Sequence, residues 1–201
     1  MAGTLLVAAV VPAQVVERLN KKGNGKMKIV VLTGSPRRNG NTNYLAERFS
    51  VGAKEAGHEV YVFDCAHHDI NGCTGCNSCG MDGDCIFKDD FLVVRPKILE
   101  ADMVVLCTPM YYFGFSSQLK RVIDRFYAMN TKMRGKKTAL LMAYADTSEK
   151  EAQPLLSHYR VLTEYLGWKS VGEIVAPGIW NAGSIRNTRY ADDAYQMGKN
   201  L

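Results

Sequence analysis

Apolar residues along the chain form short runs that alternate with longer segments of helical periodicity. Between the runs, apolar side chains recur every three or four positions, as at Leu45, Phe49 and Ala53, which predicts amphipathic helices. The runs themselves are short and rich in β-branched residues, which is typical of buried strands. The pattern therefore predicts five strands, at 29–32, 59–64, 103–107, 137–143 and 168–175.

Strands that alternate with helices predict an α/β fold, with a parallel sheet and helices on both faces. Five such units in 201 residues fit a flavodoxin-like three-layer sandwich with a five-stranded parallel sheet in the order 2-1-3-4-5. In such sheets, ligands bind beyond the carboxyl ends of the strands, at the switch point between strands 1 and 3. The loops that follow these two strands should therefore meet around one ligand.

Polar and proline residues predict where several helices begin or bend. Asn41, Thr42 and Asn43 are good N-cap types for the first helix. Pro96 predicts a kink in the helix that precedes the third strand, or a helix that restarts there, because proline cannot donate the helical hydrogen bond. Pro154 marks where the helix before the fifth strand is expected to begin.

Residues 1–26 are expected to form an extension and a polar, glycine-containing linker outside the core, and residues 27–201 to form a single domain. The chain contains no apolar stretch long enough to span a membrane. Its apolar start lacks the basic residues that precede the core of a signal peptide, which favours a cytoplasmic protein. We therefore expect no membrane association.

The charge of the chain gives little support for nucleic-acid binding. The formal net charge is +5, and no basic run is interleaved with aromatic residues. A modest positive balance is also what a protein that binds phosphorylated, anionic ligands would carry.

The segment at 30–43 predicts a strand, a polar loop punctuated by Gly34 and Gly40, and the start of a helix. The two glycines favour backbone conformations that a Cβ atom would resist. Such a loop directs free N–H groups and a helix N-terminus at one point, which is how many proteins hold a phosphate. Neither G-x-x-x-x-G-K-[ST] nor G-x-G-x-x-G is present. The alternative is a structural turn with solvated arginines. The candidate phosphate contacts are Ser35, Arg37, Asn41, Thr42 and Asn43.

The aromatic segment after the third strand provides flat apolar surface at the predicted switch point. Proline stiffens this segment, and glycine would allow close approach of the backbone to a ligand. The alternative is a hydrophobic loop packed into the core or into a dimer interface. Tyr144 and Asp146, in the loop after the fourth strand, are weaker candidates for contact with the same ligand. The candidate contacts are Pro109, Met110, Tyr111, Tyr112, Phe113 and Gly114.

Four cysteines follow the spacing C-x2-C-x2-C-x5-C, at Cys73, Cys76, Cys79 and Cys85. Four thiolates suit either an iron–sulfur cluster or a tetrahedral zinc ion. Three cysteines at successive x2 spacings favour the cluster. Free thiols, a degenerate remnant and a disulfide remain as alternatives, and a reducing cytosol disfavours the disulfide.

The run Gly-Ser-Pro-Arg-Arg-Asn-Gly-Asn-Thr at 34–42 and the run Leu-Lys-Arg-Val-Ile-Asp-Arg at 119–125 resemble motifs of the NAD(P)H-dependent FMN reductases and their relatives, the iron–sulfur flavoproteins. The resemblance implies non-covalent FMN with its phosphate in the first run and its ring against residues 109–114. It also implies a homodimer or homotetramer, and a [4Fe–4S] cluster in the iron–sulfur branch. Asp124 and Arg125 are interpreted as a structural pair. No catalytic acid or base is assigned, because the flavin carries the chemistry.

These observations lead to the interpretation of an FMN-dependent oxidoreductase that takes reducing equivalents from NAD(P)H and passes them to flavin, quinone or a redox partner. One alternative is an iron–sulfur flavoprotein that exchanges single electrons with ferredoxin-like partners. Another is a non-enzymatic, flavodoxin-type electron carrier. The third is a zinc-stabilised interaction module, which would bind no flavin.

Overall fold

A computed structural model describes residues 25–201 of the chain. The predicted extension at residues 1–26 therefore lies outside the described residues, apart from Gly25 and Lys26. Both of these residues are exposed and belong to no helix or strand.

The sheet contains five parallel strands and one short antiparallel strand. The parallel strands are β1 (Lys28–Thr33), β2 (Glu59–Asp64), β3 (Met103–Tyr111), β5 (Lys137–Ala143) and β6 (Lys169–Ala176). Their order is β2-β1-β3-β5-β6, which confirms the order predicted for five parallel strands. The additional strand β4 (Gly114–Phe115) pairs antiparallel with β3 and was not predicted.

Within residues 25–201, five α-helices cover the sheet. They are α1 (Asn41–Glu55), α2 (Phe91–Glu100), α3 (Ser117–Asp124), α4 (Glu149–Tyr165) and α5 (Arg189–Lys199), with short 3₁₀ segments at Arg125–Met129 and Ser184–Asn187. Alternate strand residues face opposite layers, as expected for a pleated sheet. Ile29 and Val31 pack with α1 and α5, whereas Val30 and Leu32 pack with α2, α3 and α4. The predicted three-layer α/β sandwich is therefore confirmed.

One helix prediction based on proline was wrong, because helix α4 begins at Glu149 rather than near Pro154. Helix α2 runs from Phe91 to Glu100 with Pro96 inside it, so it does not restart at that proline. Each proline removes one backbone hydrogen bond. Both helices nevertheless bury a full apolar face, represented by Leu155 and Tyr159 in α4 and by Val94 in α2. Tertiary packing of these faces outweighs the local cost.

The aromatic segment expected as a loop is a β-hairpin. Strand β3 continues to Tyr111, and Met110 and Tyr111 pair with Phe115 and Gly114 of β4. The Ser116 backbone N–H then donates to Thr108 Oγ1 at 3.0 Å, which ties the end of the hairpin to its start. The hairpin leads directly into α3, whose N-cap is Ser116.

Across residues 25–201, none of the helices combines the length and the apolar character that crossing a membrane requires.

Candidate cofactor site

A cleft of about 330 Å³ opens at the carboxyl ends of β1, β3 and β5. This is the switch point at which the sequence predicts a ligand. Its lining joins the two predicted segments, with Ser35, Arg37, Asn41 and Thr42 from the first and Pro109, Met110 and Tyr111 from the second. Asn43, Tyr112, Phe113 and Gly114 do not line it.

The loop at residues 34–40, here called the glycine loop, closes on itself through short-range hydrogen bonds. The Arg37 N–H donates to Ser35 Oγ at 3.2 Å, and the Gly40 N–H donates to the Arg37 carbonyl at 2.8 Å. A Cβ atom at Gly40 would lie 2.6 Å from Ser35 Oγ, and one at Gly34 would lie 2.7 Å from Leu119 Cβ. Gly40 has a φ of −71°, so it is required by close packing and not by the unusual backbone conformation that we expected.

The N-terminus of α1 lies at the cleft beside the glycine loop. Its N-cap is Gly40 and not one of the predicted polar residues, so the cap has no side chain that could accept a hydrogen bond from the first turn. The helix dipole adds partial positive charge at this end, and Arg37 adds a full charge to the same cleft. The arrangement can therefore hold an anionic group such as a phosphate.

The side chains of Asn41 and Asn43 shape the site through contacts within the protein. Asn41 Nδ2 donates to the Asn181 carbonyl at 2.9 Å, and this hydrogen bond fixes the segment that follows β6 to α1. Asn43 Nδ2 donates to the carbonyls of Arg37 and Arg38 at 3.0 and 3.2 Å. These amide groups hold the glycine loop in place.

The far wall of the cleft contains residues that sequence reasoning missed or weighted weakly. It comprises Ala143, Tyr144, Ala145, Ile179 and Trp180. Tyr144 and Ile179 join its two segments through an N–H to carbonyl hydrogen bond of 2.8 Å. Burial raises the pKa of Tyr144, so its phenol stays neutral at neutral pH and donates to the Ser148 carbonyl at 3.2 Å. Trp180 is 75% exposed at the rim. The rule that ligands lie at strand carboxyl ends could have indicated this wall.

The tip of the aromatic hairpin is strained. Tyr112 and Phe113 form its two-residue connection with φ values of 44° and 64°, a turn that normally favours Asn-Gly. Bulky residues rarely adopt this left-handed conformation, and such strain often occurs at functional sites. Gly114 meets only ordinary contacts, so the close approach expected there is not observed within the chain.

All four predicted cysteine ligands line one small, largely apolar pocket of about 20 Å³. In residues 25–201, no three His, Cys, Asp or Glu side chains are arranged to hold a single metal ion. A zinc ion would require its thiolates at about 2.3 Å from one point. In a four-iron cluster, each cysteine binds a separate iron, so the thiolates lie further apart. Four thiols at this spacing are the donor set that an iron–sulfur cluster takes.

The cysteine loop, defined here as residues 72–88, contains several left-handed residues. Gly75, Asn77, Gly80 and Met81 all have positive φ values, between 52° and 73°. Successive reversals of this kind turn backbone N–H groups toward a common point, as in other anion-binding loops. Hydrogen bonds from the Ser78 hydroxyl and backbone N–H also lower the pKa of the Cys76 thiol. Its neighbours thus stabilise negative charge on the Cys76 sulfur.

A buried ion pair closes the base of the cysteine loop. Arg125 Nη1 lies 2.9 Å from Asp89 Oδ2, and both side chains are almost fully buried. Asp89 also accepts the Asn71 N–H at 2.9 Å, so the two ends of the loop meet at one carboxylate. The predicted pairing of Arg125 with Asp124 was wrong, because Asp124 pairs with Lys120 on the exposed face of α3.

Residues 27–181 match the family described as NADPH-dependent FMN reductase. The chain belongs to this family. An iron-sulfur flavoprotein of Archaeoglobus fulgidus is 32% identical over 127 residues, covering 62% of this chain and 58% of the relative. A second one from this organism is 26% identical and covers 84% of this chain and 90% of the relative. The iron-sulfur flavoprotein MJ1083 of Methanocaldococcus jannaschii is 38% identical over 99 residues, covering 49% of this chain and 51% of the relative. The chain thus spans only about half the length of several curated relatives.

Solved structures agree with the fold. The NAD(P)H:quinone oxidoreductase of Methanothermobacter marburgensis superposes with a TM-score of 0.69 at 20% identity, covering 88% of this chain and all (100%) of the other. The Trp repressor binding protein of Bacillus subtilis gives a TM-score of 0.64 at 23% identity, covering 85% of this chain and 99% of the other. At these identities the likeness shows a shared flavodoxin-like fold.

Proposed function

We propose that this protein binds FMN in the cleft and acts as an oxidoreductase that takes reducing equivalents from NAD(P)H. One observation carries the proposal. A site suited to an anion, formed by the glycine loop and the N-terminus of α1, shares one cleft with the apolar segment at 109–111. FMN has the same two features, with a phosphate at one end and a flat ring at the other. Family membership supports the same cofactor.

The residues of the cleft fit the two ends of FMN. Arg37, Ser35 and the first-turn N–H groups of α1 would hold the phosphate, because they supply charge and donors at one point. Pro109, Met110 and Tyr111 would contact the ring. When bound, FMN supplies hydride and electron transfer, and the protein supplies orientation and electrostatics.

The electron acceptor is proposed as a small planar molecule, such as a flavin or quinone, or as a redox partner protein. Trp180 at the open rim offers an exposed aromatic face on which a planar acceptor could stack. A structural neighbour is named as a quinone oxidoreductase, which agrees with this class.

An iron–sulfur form of the same function is the second candidate, and the cysteine pocket favours it. Four thiols from a loop of short spacing line one pocket, and several relatives are named iron-sulfur flavoproteins. Cys73, Cys76, Cys79 and Cys85 would be the ligands. A cluster in this position would allow single electrons to pass from the flavin to a ferredoxin-like protein.

Arg37→Ala tests the phosphate site, with Arg38→Ala as the matched control. Arg37 lines the cleft, whereas its exposed neighbour Arg38 does not. Loss of one exposed, charge-assisted contact should weaken FMN binding about tenfold in a fluorescence titration of the apoprotein. Arg38→Ala should change the Kd by less than about threefold, since exposed charges contribute little. Equal losses for both variants would mean that general positive charge, rather than the cleft, attracts FMN.

Oxidation of NAD(P)H by the purified protein distinguishes an enzyme from a non-enzymatic electron carrier and from an interaction module. Purified protein with bound FMN should oxidise NADPH or NADH when a quinone or free flavin is added without oxygen. A flavin-loaded protein that oxidises neither nucleotide would instead support a flavodoxin-type carrier. A colourless protein that ignores added FMN would support an interaction module and contradict the proposal.

Cytoplasmic location and self-association belong to the same proposal. All six cysteines, which fall within residues 25–201, are free thiols, as suits a reducing compartment.

The exposed aromatic tip at Tyr112 and Phe113 supports a homodimer or homotetramer, which size-exclusion chromatography with light scattering would measure. A monomer at micromolar concentration would contradict the oligomer.

A further inference from the structure

One buried cation lines the cysteine pocket. Arg125 is 1% exposed and belongs to the same lining as the four cysteines. A guanidinium group excluded from water must have its charge and its donors satisfied, or folding loses free energy. The partners of Arg125 therefore indicate what the pocket is built to hold.

The hydrogen bonds of Arg125 satisfy only one edge of its guanidinium. Nη1 donates to the Asn71 carbonyl and to Asp89, both at 2.9 Å, and Nη2 donates to Asp89 at 3.3 Å. The Nε–H is buried and has no partner among residues 25–201. Buried donors in native proteins are nearly always paired, so this unpaired donor, on a residue that lines the pocket, calls for an acceptor.

Aromatic rings hold the guanidinium in place. Its central carbon lies 4.6 Å from the Phe91 ring centroid and 5.3 Å from that of Phe87. Together with the two contacts to Asp89, these rings restrict rotation of the side chain. Arg125 is therefore preorganised and does not need to move when the pocket is filled.

We propose that Arg125 is a positioning residue for an iron–sulfur cluster in the four-cysteine pocket, with its free Nε–H donating a hydrogen bond to a cluster or cysteine sulfur. This inference rests on the iron–sulfur form of the proposed function. A cluster bound by four thiolates is anionic overall, because the thiolate charges exceed the positive charge of its core. Arg125 stabilises the reduced state most, since that state carries one additional negative charge, and so raises the reduction potential.

Arg95 provides a matched control within the same loop system. It anchors the cysteine loop through Asp84 at 3.2 Å and through the Gly83 and Ala128 carbonyls. Its Nε–H is also buried and has no partner in the described part of the chain, yet Arg95 does not line the cysteine pocket. A variant at Arg95 therefore reports on loop anchoring without removing a donor from the pocket.

The experiment compares wild type, Arg125→Lys and Arg95→Lys as full-length protein purified without oxygen. FMN, iron and acid-labile sulfide are measured per chain, and the midpoint potential of the cluster is titrated by electron paramagnetic resonance. Arg125→Lys keeps the charge beside Asp89 but has no Nε–H. We expect unchanged FMN and iron contents, and about a tenfold lower ratio of reduced to oxidised cluster at a fixed potential, equivalent to about 59 mV. Arg95→Lys should leave this ratio unchanged.

Several results would overturn the proposal. An unchanged potential in Arg125→Lys, or an equal shift in Arg95→Lys, would reduce Arg125 to a loop anchor. Wild-type protein with FMN but neither iron nor sulfide would overturn the cluster and the role of Arg125 together, while leaving the flavin function intact. Iron and sulfide without FMN would overturn the flavin function alone.

A double variant keeps the test decisive if Arg125→Lys is too unstable to purify. Arg125→Gln combined with Asp89→Asn removes both buried charges and the Nε–H, and replacing both members of a buried pair is often tolerated. Its cluster should also show a lower potential than wild type. A wild-type potential in the double variant would overturn the proposal.

Discussion

The glycine loop and the cysteine loop both connect a strand to a helix at the same edge of the sheet, but different kinds of contact hold them. In the glycine loop, Ser35 and Asn43 bond to residues two to six positions away. In the cysteine loop, Asn77 bonds to Tyr127, 50 positions along the chain, at 2.7 Å. Asp82 bonds to Thr131, 49 positions away. Gly34 is also tied to distant residues, because its N–H donates to the Cys107 carbonyl at 2.8 Å and its carbonyl accepts from Ser116 Oγ at 2.7 Å. The turn at 35–40 is therefore shaped locally, whereas the cysteine loop is held by tertiary contacts along more of its length.

Backbone strain differs in the same way. None of residues 34–40 has a positive φ, whereas four residues of the cysteine loop do. The glycine loop needs its glycines because neighbouring atoms pack against them. In the cysteine loop, Gly75 and Gly80 adopt positive φ values freely and Asn77 does so at little cost, so the strain falls mainly on Met81. This comparison teaches that a ligand loop can be preorganised either by close local packing or by distant side chains. Substitutions in the two loops should therefore affect stability and FMN binding differently.

The largest expected effect is loss of the buried ion pair. Asp89→Asn leaves the Arg125 charge buried without a counter-charge, which should cost about 3–5 kcal/mol of unfolding free energy at pH 7. Urea denaturation followed by circular dichroism measures this cost. The folded fraction at low urea should still bind FMN with an unchanged Kd, because Asp89 does not line the cleft. A large rise in that Kd would show that the two loops are not independent.

The same variant should have a characteristic pH dependence. Burial alone would raise the pKa of Asp89, but hydrogen bonds from Arg125 and Asn71 outweigh it and hold the pKa below its usual value. The ionised carboxylate thus stabilises the fold above its unfolded pKa of about 3.9, and this contribution is lost as pH falls through the lower folded pKa. Wild type and Asp89→Asn should therefore converge in stability at acid pH. Asp124→Asn, in the exposed pair with Lys120, should cost less than about 1 kcal/mol.

A Cβ atom at Gly40 tests the local packing of the first loop. Gly40→Ala places that atom 2.6 Å from Ser35 Oγ and 2.8 Å from the Arg37 carbonyl, which should cost about 1–3 kcal/mol and lower FMN affinity more than tenfold. Gly72→Ala in the cysteine loop is the matched control, because nothing lies within 4 Å of its Cβ position. It should change stability by less than about 0.5 kcal/mol. Similar FMN binding by Gly40→Ala and wild type would contradict the packing argument.

This contrast also explains what could be read from the sequence. The strand order and the glycine loop follow from local patterns, namely the apolar runs, the glycines and a helix start. The sequence also places four cysteines together, because they lie close along the chain. It gives no sign that Arg125 pairs with Asp89 rather than with its neighbour Asp124, since that choice depends on how α3 packs. The far wall at Ile179 and Trp180 was missed although it follows the carboxyl end of β6, where the rule for parallel sheets places ligands.

The smallest expected effect isolates the strain stored in the cysteine loop. Met81 has a φ of 73°, and its carbonyl accepts the Asn130 N–H at 3.0 Å, a tertiary contact that helps to hold this conformation. Met81→Ala and Met81→Gly both remove the side chain, but only glycine also relieves the left-handed penalty of about 1–2 kcal/mol. Part of this gain is lost, because glycine gives the unfolded chain more freedom. We therefore expect the free energy of unfolding of the glycine variant to be about 1 kcal/mol higher than that of the alanine variant in matched urea titrations. An alanine variant as stable as the glycine variant would show that the loop stores no strain at this position. The two candidate sites would then differ only in the distance along the chain over which they are held.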